Sequence, residues 1–189
     1  MPTVVFDFDK TLTKKDTVIG FLLMASDKRL IPFRRLILLF FAVLHKFRFI
    51  NNDRLKQIGI RLFLKGMPET VIKQKAVAYA AGIQLNDIYE KEFLLKYPGA
   101  IIATASFEDY VRPLCKGNIL LAARLEYTNG LVSGMLQNAY GSQKVGLLNK
   151  QGINRVDIFY TDSFSDRPVM DISTVVYLVK NNSIEKIKG

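Results

Sequence analysis

Asp7 and Asp9 stand two residues apart in Asp7-Phe8-Asp9-Lys10-Thr11, directly after the apolar run Thr3-Val4-Val5-Phe6. Side chains two apart on an extended chain point the same way, so both carboxylates share a face if the strand continues through them. Like charges that close repel, and a cation or a shared proton has to neutralise them. Oxygen-only ligands suit a hard ion such as Mg²⁺. A carboxylate beside such an ion can also attack phosphorus and become an aspartyl phosphate. The same five residues could also form a turn closing a strand, where Asp and Thr are common, though the metal-site reading is favoured. The rest of the chain has to decide.

Two later apolar runs also end in polar residues. Ala100-Ile101-Ile102-Ala103 leads into Thr104-Ala105-Ser106, and Val156-Asp157-Ile158-Phe159-Tyr160 leads into Thr161-Asp162-Ser163-Phe164-Ser165-Asp166. Between them, Lys144 sits in Gly141-Ser142-Gln143-Lys144-Val145-Gly146. In open α/β sheets, ligands bind just beyond the carboxyl ends of the strands, which is where these polar residues would cluster. Taken singly, Thr104 is an ordinary strand-end residue and Lys144 a surface lysine. Asp162 and Asp166 would then serve as helix N-caps.

In order and content these four segments resemble the motifs of the haloacid dehalogenase-like superfamily of Mg²⁺-dependent phosphohydrolases, above all the subgroup that includes phosphoserine phosphatase. That resemblance implies a Rossmann-like α/β core with a mostly parallel sheet and a helical cap inserted after the first strand. It implies Asp7 as nucleophile, and Asp9 as general acid for the leaving oxygen and then base for water. Mg²⁺ would be held by Asp7, Asp162 and the backbone carbonyl of Asp9. The Thr104 hydroxyl and the Ala105 N–H would bind the phosphoryl oxygens, with Lys144 adding positive charge. Asp166 would stand one step further out, holding a metal-bound water or Lys144. The chain departs from phosphoserine phosphatases in carrying Thr104-Ala105-Ser106 for Ser-Gly-Gly and Thr161-Asp162-Ser163-Phe164-Ser165-Asp166 for Gly-Asp-Gly-x-Asn-Asp. Asp16 falls where those enzymes place a substrate-recognising glutamate, and it also suits a helix N-cap. For their cap arginine, Arg54 and Arg61 are the candidates.

The elements that must position these groups follow from pattern. A first strand is expected over Thr3–Phe8, then helices from Asp16 to Ala25, from Lys28 to Arg48 and near Arg54–Lys65, the last with Asn51, Asn52 and Asp53 as cap candidates and stopped by Gly66; Pro68 opens a further helix and a last one covers Gln84 to Lys96. Residues 16–96 thus read as a helical cap, and residues 1–15 with 97–189 as the α/β core. In the core, strands are expected into Thr104, over Ile119–Arg124, over Asp157–Thr161 and finally over Thr174–Val179. Short helices are expected near Phe107–Leu114 and Gln143–Asn149, and Asn129-Gly130 marks a hairpin between Leu125–Thr128 and Leu131–Met135.

With 189 residues the chain can bury one good core and a small accessory unit. Its single cysteine, Cys115, excludes an internal disulfide and fits a reducing cytosol. The N-terminus runs straight into the first strand, with no secretory pattern. No apolar stretch reaches the ~18 residues of a membrane span.

The net charge of +10 is unevenly distributed. Residues 28–65 hold ten Lys or Arg and one acid, Asp53, and so account for nearly all of it. Such a field attracts phosphates, anionic membrane surfaces or nucleic acid. From Leu30 to Ile50 the chain is apolar in the middle and basic at both ends, a pattern that suits a helix lying in a membrane interface. In this respect, and in Thr161-Asp162-Ser163-x-x-Asp166, it is similar to bacterial phosphatidylglycerophosphatase C enzymes. A helix in the core of the cap would carry the same pattern, and leucine- and aromatic-rich helices are usually core; that reading is the expected one, with His45 as a helix-end residue.

The leading expectation is therefore a Mg²⁺-dependent phosphomonoesterase acting on a small phosphorylated metabolite, cytoplasmic, with a lipid phosphate at an anionic membrane surface as the alternative substrate. Transfer of the phosphoryl group to a second substrate would use the same residues. A nucleic-acid module would need the basic segment but not the catalytic set, which argues against it.

Overall fold

The computed structural model describes residues 2–26, 31–47, 49–181 and 183–189. Seven strands form one sheet: β1 (Val4–Phe6), β2 (Ile101–Phe107), β3 (Leu120–Thr128), β4 (Leu131–Gln137), β5 (Val156–Thr161), β6 (Ser173–Lys180) and β7 (Ser183–Lys188). Their order is β4-β3-β2-β1-β5-β6-β7. The inner five strands run parallel, and β4 and β7 close the two edges antiparallel. The expected α/β class and mostly parallel sheet are thus the observed ones.

Strand alternation divides the core. Val5, Ile101, Ala103 and Phe159 face one side, under α6 (Ser142–Lys150) and α7 (Arg167–Asp171). Val4, Phe6, Ile102 and Tyr160 face the other, with α5 (Glu108–Val111) and the chain that links β1 to β2. Alternate residues of a strand point to opposite faces, and both faces here are covered, so the strands read as near-continuous apolar runs.

Among the described residues between β1 and β2 lie the helices α1 (Val18–Ala25), α2 (Ile31–Lys46), α3 (Asn52–Phe63) and α4 (Glu69–Ala81), followed by a π-helical segment at Tyr89–Lys96. The two crossings into and out of this helical insert pair with each other: Lys14 donates its N–H to the Gln84 carbonyl at 2.9 Å and Asn86 donates to the Leu12 carbonyl at 3.0 Å. The β3–β4 hairpin reaches the insert from the far side, where Gly66 donates to the Val132 carbonyl and Val132 to the Met67 carbonyl, each at 2.9 Å. Asn51 caps α3 through its side chain, accepting from the Arg54 N–H at 2.9 Å, as its type predicts. Gly59 lets three helices close up: a Cβ there would lie 2.9 Å from the Leu22 side chain of α1 and 3.9 Å from that of Leu38 on α2.

Several expectations shift. β1 ends at Phe6, because the Phe8 carbonyl gathers the N–H groups of Thr11, Leu12 and Thr13 into a tight turn. The helix expected from Gln84 begins only after Asn86, since residues 84–86 are held by the crossing. The strand taken as final is followed by another, β7, whose Lys- and Glu-bearing sequence has little strand character but completes the edge. Residues 28–30 and Arg48 of the expected long basic helix lie outside the described residues. Within it, the reading of α2 as a helix buried in the insert does not hold: Phe33, Leu36, Leu39, Phe40 and Val43 are exposed. His45 stands in the last turn of α2, and its side chain is outside the described set.

Candidate active site

Beyond the carboxyl ends of β1, β2 and β5, a cavity of ≈ 320 Å³ opens between the sheet and the insert. Asp7, Asp9, Thr104, Ala105, Lys144, Asp162, Asp166 and Asp16 all line it. The alternation expected for the two aspartates survives past the end of the strand. Asp7 still donates its N–H to the Tyr160 carbonyl at 2.8 Å, Phe8 turns into the core with no exposed surface, and Asp9 returns to the cavity.

Lys144 is the electrostatic centre. It lies in the first turn of α6, behind Gly141, whose φ of +54° would strain any residue with a side chain. Its Nζ donates to Asp7 Oδ1 at 2.6 Å and to Asp166 Oδ2 at 2.7 Å. Lysine is seldom buried unless paired, and this one has two carboxylate partners. Burial works against its charge, but Asp7 and Asp166 outweigh that and hold its pKa above the ordinary lysine value. Asp166 also accepts from the Thr161 hydroxyl at 2.9 Å. The capping role considered for this loop falls to Ser163, whose Oγ accepts from the Ser165 N–H at 3.1 Å, leaving Asp162 and Asp166 turned to the cavity.

Asp9 is held from two sides. Its Oδ1 accepts from the Thr17 hydroxyl at 2.6 Å and the Thr17 N–H at 3.2 Å, and its Oδ2 from the Ser106 hydroxyl at 2.7 Å. Burial, with the charge of Asp16, pushes the Asp9 pKa up to about 6 against these hydrogen bonds. Burial likewise raises Asp7, with Asp166 and Asp9 adding to it and Lys144 opposing. Asp162 is raised by burial, with Lys10 opposing.

Ala105 owes its position to a break in the sheet. Between Thr104 and Phe107 the register with β3 slips, so Ala105 and Ser106 fall between the successive partners Ala122 and Ala123. Such bulges re-aim backbone and side chains beside functional sites. The Thr104 hydroxyl accepts from the Ser106 N–H at 3.0 Å, which fixes the turn.

Asp16 lines the cavity mouth and also accepts from the Val18 N–H at 3.1 Å, so it starts α1 as an N-cap would. Arg54 and Arg61 are exposed and are not among the lining residues. The insert instead supplies Lys56. Its Nζ donates to the Ala105 carbonyl, and to Asn138 Oδ1 at 2.8 Å. Asn138 in turn donates to Asp53, which also accepts from Gln143 Nε2 at 2.9 Å. Burial lowers the Lys56 pKa to about 7, with Asp9, Asp53 and Asp16 pulling it back up. Thr17, Ser106, Lys56 and Asn138 are the site residues that sequence reasoning missed. For Lys56 a signal existed: Gly59, Ile60 and Phe63 follow it at helical spacing, so it lies on the buried face of α3.

Four aspartates and a buried, doubly paired lysine thus gather at the carboxyl ends of an α/β sheet, where such sheets bind ligands. Residues 4–171 match the family model of haloacid dehalogenase-like hydrolases, and the chain belongs to that family. Among solved structures, it is similar to a protein of unknown function from Bordetella pertussis Tohama I (TM-score 0.70, 16% identity, covering 89% of this chain and 85% of that one). It is also similar to a substrate-bound phosphoserine phosphatase (0.65, 17%, 93% and 84%). A phosphoserine phosphohydrolase-like protein from Francisella tularensis subsp. tularensis SCHU S4 is a third (0.65, 19%, 93% and 86%). At these identities the likeness is one of fold. No curated protein matches the sequence.

Proposed function

We propose that this hydrolase is a phosphomonoesterase that works through an aspartyl-phosphate intermediate, with Mg²⁺ as cofactor. The observation that carries the reading is the Lys144 bridge, which sets Asp7 and Asp166 on one buried cation with Asp9 lining the same cavity.

In this reading an Asp7 carboxylate oxygen attacks phosphorus, the bond from phosphorus to the leaving oxygen breaks, and Asp9 gives that oxygen its proton. Water then attacks the phosphorus, Asp9 takes the proton, and the bond to Asp7 breaks to release phosphate. A carboxyl group with a pKa of about 6 suits both duties. Thr17 and Ser106 hold Asp9 in place for both. The Thr104 hydroxyl, the Ala105 N–H and Lys144 bind the phosphoryl oxygens, where charge develops in the transition state. The insert acts as a cap over this site.

The donor chemistry fits Mg²⁺. Asp7, Asp162 and the Asp9 carbonyl, all oxygen donors lining the cavity, would hold it. A hard ion that keeps several of its waters needs only such a sparse set. A bound ion would supply positive charge that offsets the negative charge of the attacking carboxylate and the phosphoryl oxygens. Asp166 would act through Lys144.

The substrate is proposed to be a small phosphorylated metabolite. The insert lines the cavity with Val18, Ile19, Leu22, Leu38, Ala42 and Leu55 beside the polar Asn52 and Lys56, and this mostly apolar surface favours an apolar leaving group. The same wall supports a second reading, a lipid phosphate. Release of phosphate from an aryl phosphate, with and without EDTA and beside Asp7→Asn, tests the chemistry. Activity lost with both EDTA and the substitution is expected. Activity retained by Asp7→Asn would overturn the assignment, and phosphate appearing on an added acceptor alcohol would turn hydrolysis into transfer.

A further inference from the structure

On α2, the residues Phe33, Leu36, Leu39, Phe40 and Val43 fall on one arc of about 120° at 100° per residue. All five are exposed, from 45% for Val43 to 68% for Leu36. Phe47 and Phe49, just past the helix, are exposed as well. Scattered apolar residues on a surface need no explanation, but a continuous stripe of this size marks an interaction surface. The other side of the helix is already occupied: α2 packs chiefly against α3, and Leu38 and Ala42 line the catalytic cavity.

The charge around the stripe says what covers it. No acidic residue occurs on α2, which carries Arg34 and Arg35 in its first turns. It belongs to the 28–65 segment with ten basic residues and one acidic. A second copy of this chain seated on the stripe would set one such segment against another. An anionic lipid surface meets both demands, taking the aromatic and leucine side chains into the upper acyl region and the guanidinium of Arg35, which flanks the stripe, onto the head groups. The 16 described residues of α2 rise about 24 Å, short of the ~30 Å hydrocarbon core. No helix among the described residues is long and apolar enough to cross a membrane.

We infer that α2 is an interfacial docking helix that lies in the surface of an anionic bilayer, its outer stripe in the lipid and its inner face walling the cavity. The phosphate site then stands about one helix diameter, ~10 Å, from the head groups. Docking needs no turnover, so it stands or falls separately from the phosphatase reading.

The test is co-sedimentation of the full chain with vesicles of phosphatidylcholine alone and of phosphatidylcholine with phosphatidylglycerol, at low and high salt. The wild type is expected to pellet with the anionic vesicles at low salt and to be released by salt. Leu36→Glu/Phe40→Glu, both on the exposed stripe, should lower that partition by about tenfold or more while circular dichroism and thermal melting stay at wild-type values. Arg35→Gln should weaken the salt-sensitive part. No binding of the wild type to anionic vesicles overturns the inference. So does a dimer in sedimentation equilibrium that the double glutamate variant splits, if vesicle binding is absent.

Discussion

The two walls of the cavity solve opposite problems. On the core wall, Asp7, Asp166 and Lys144 are buried and bonded to one another, and the Asp9 oxygens are taken up by Thr17 and Ser106. On the insert wall, α2 keeps large apolar side chains in solvent while its inner face meets the cavity. Buried charge is tolerated only when paired, whereas exposed apolar surface is retained only where something covers it. The first wall is therefore complete within the chain, and the second is completed from outside. The polar link between them runs through Lys56, Asn138 and Asp53, so the insert is tied to the core at the Ala105 bulge.

The sharpest way to break that contrast is to remove a charge from the core wall. Asp9→Asn should lower kcat by roughly 10²–10⁴-fold, because proton transfer to and from the reacting oxygens is lost; a smaller loss, read by steady-state kinetics on an aryl phosphate, would move the acid–base role elsewhere. Lys144→Met should cost about 3–5 kcal/mol in a denaturant melt, as it leaves Asp7 and Asp166 facing each other without their cation. An unchanged midpoint would mean that the two carboxylates neutralise themselves by sharing a proton.

Lys56 tests the link. Its pKa is about 7 in the folded protein and near the ordinary 10.5 when unfolded. Between those values the unfolded state binds the extra proton, so this residue makes stability rise with pH, and below about 7 its burial cost is present in full. Lys56→Met should therefore flatten the slope of stability against pH across that window by up to about 1.4 kcal/mol per pH unit, read as the difference between wild-type and variant urea melts at pH 7.5 and 9. Equal slopes would place the Lys56 ammonium in water. The smallest effect is expected at Arg54→Ala and Arg61→Ala, which should each change kcat/KM less than about twofold, since both side chains are exposed away from the cavity. A large rise in KM at either one would bring that arginine back to the substrate.

What was legible in the sequence was what depends on short spacing. Asp7 and Asp9, Thr104 and Ala105, Asp162 and Asp166 each sit within a few residues of a strand end, and chain geometry alone sends such residues to the same edge of a parallel sheet. The turn at Asn129-Gly130, the cap at Asn51 and the stop at Gly66 were legible for the same local reason. Lys144 was placed by its order among the motifs, yet its burial was not visible, since a lysine in a helix looks the same whether two carboxylates or only water await it.

Three matters were left to tertiary structure. The pairing of residues 12–14 with 84–86 shortened a helix that local propensity favoured, because the crossing needed those backbone groups. Strand β7 formed because β6 offered an unpaired edge, and its own sequence would not have called for it. The outer face of α2 was the third: periodicity shows that a helix has an apolar side, but not whether another helix, a second chain or a lipid surface meets it. The sequence by itself determined which polar residues stand at the strand ends, because that depends on residue type and local geometry. Only the folded chain decided which charges are buried together and which apolar surface is left over, because burial is a property of partners distant along the chain.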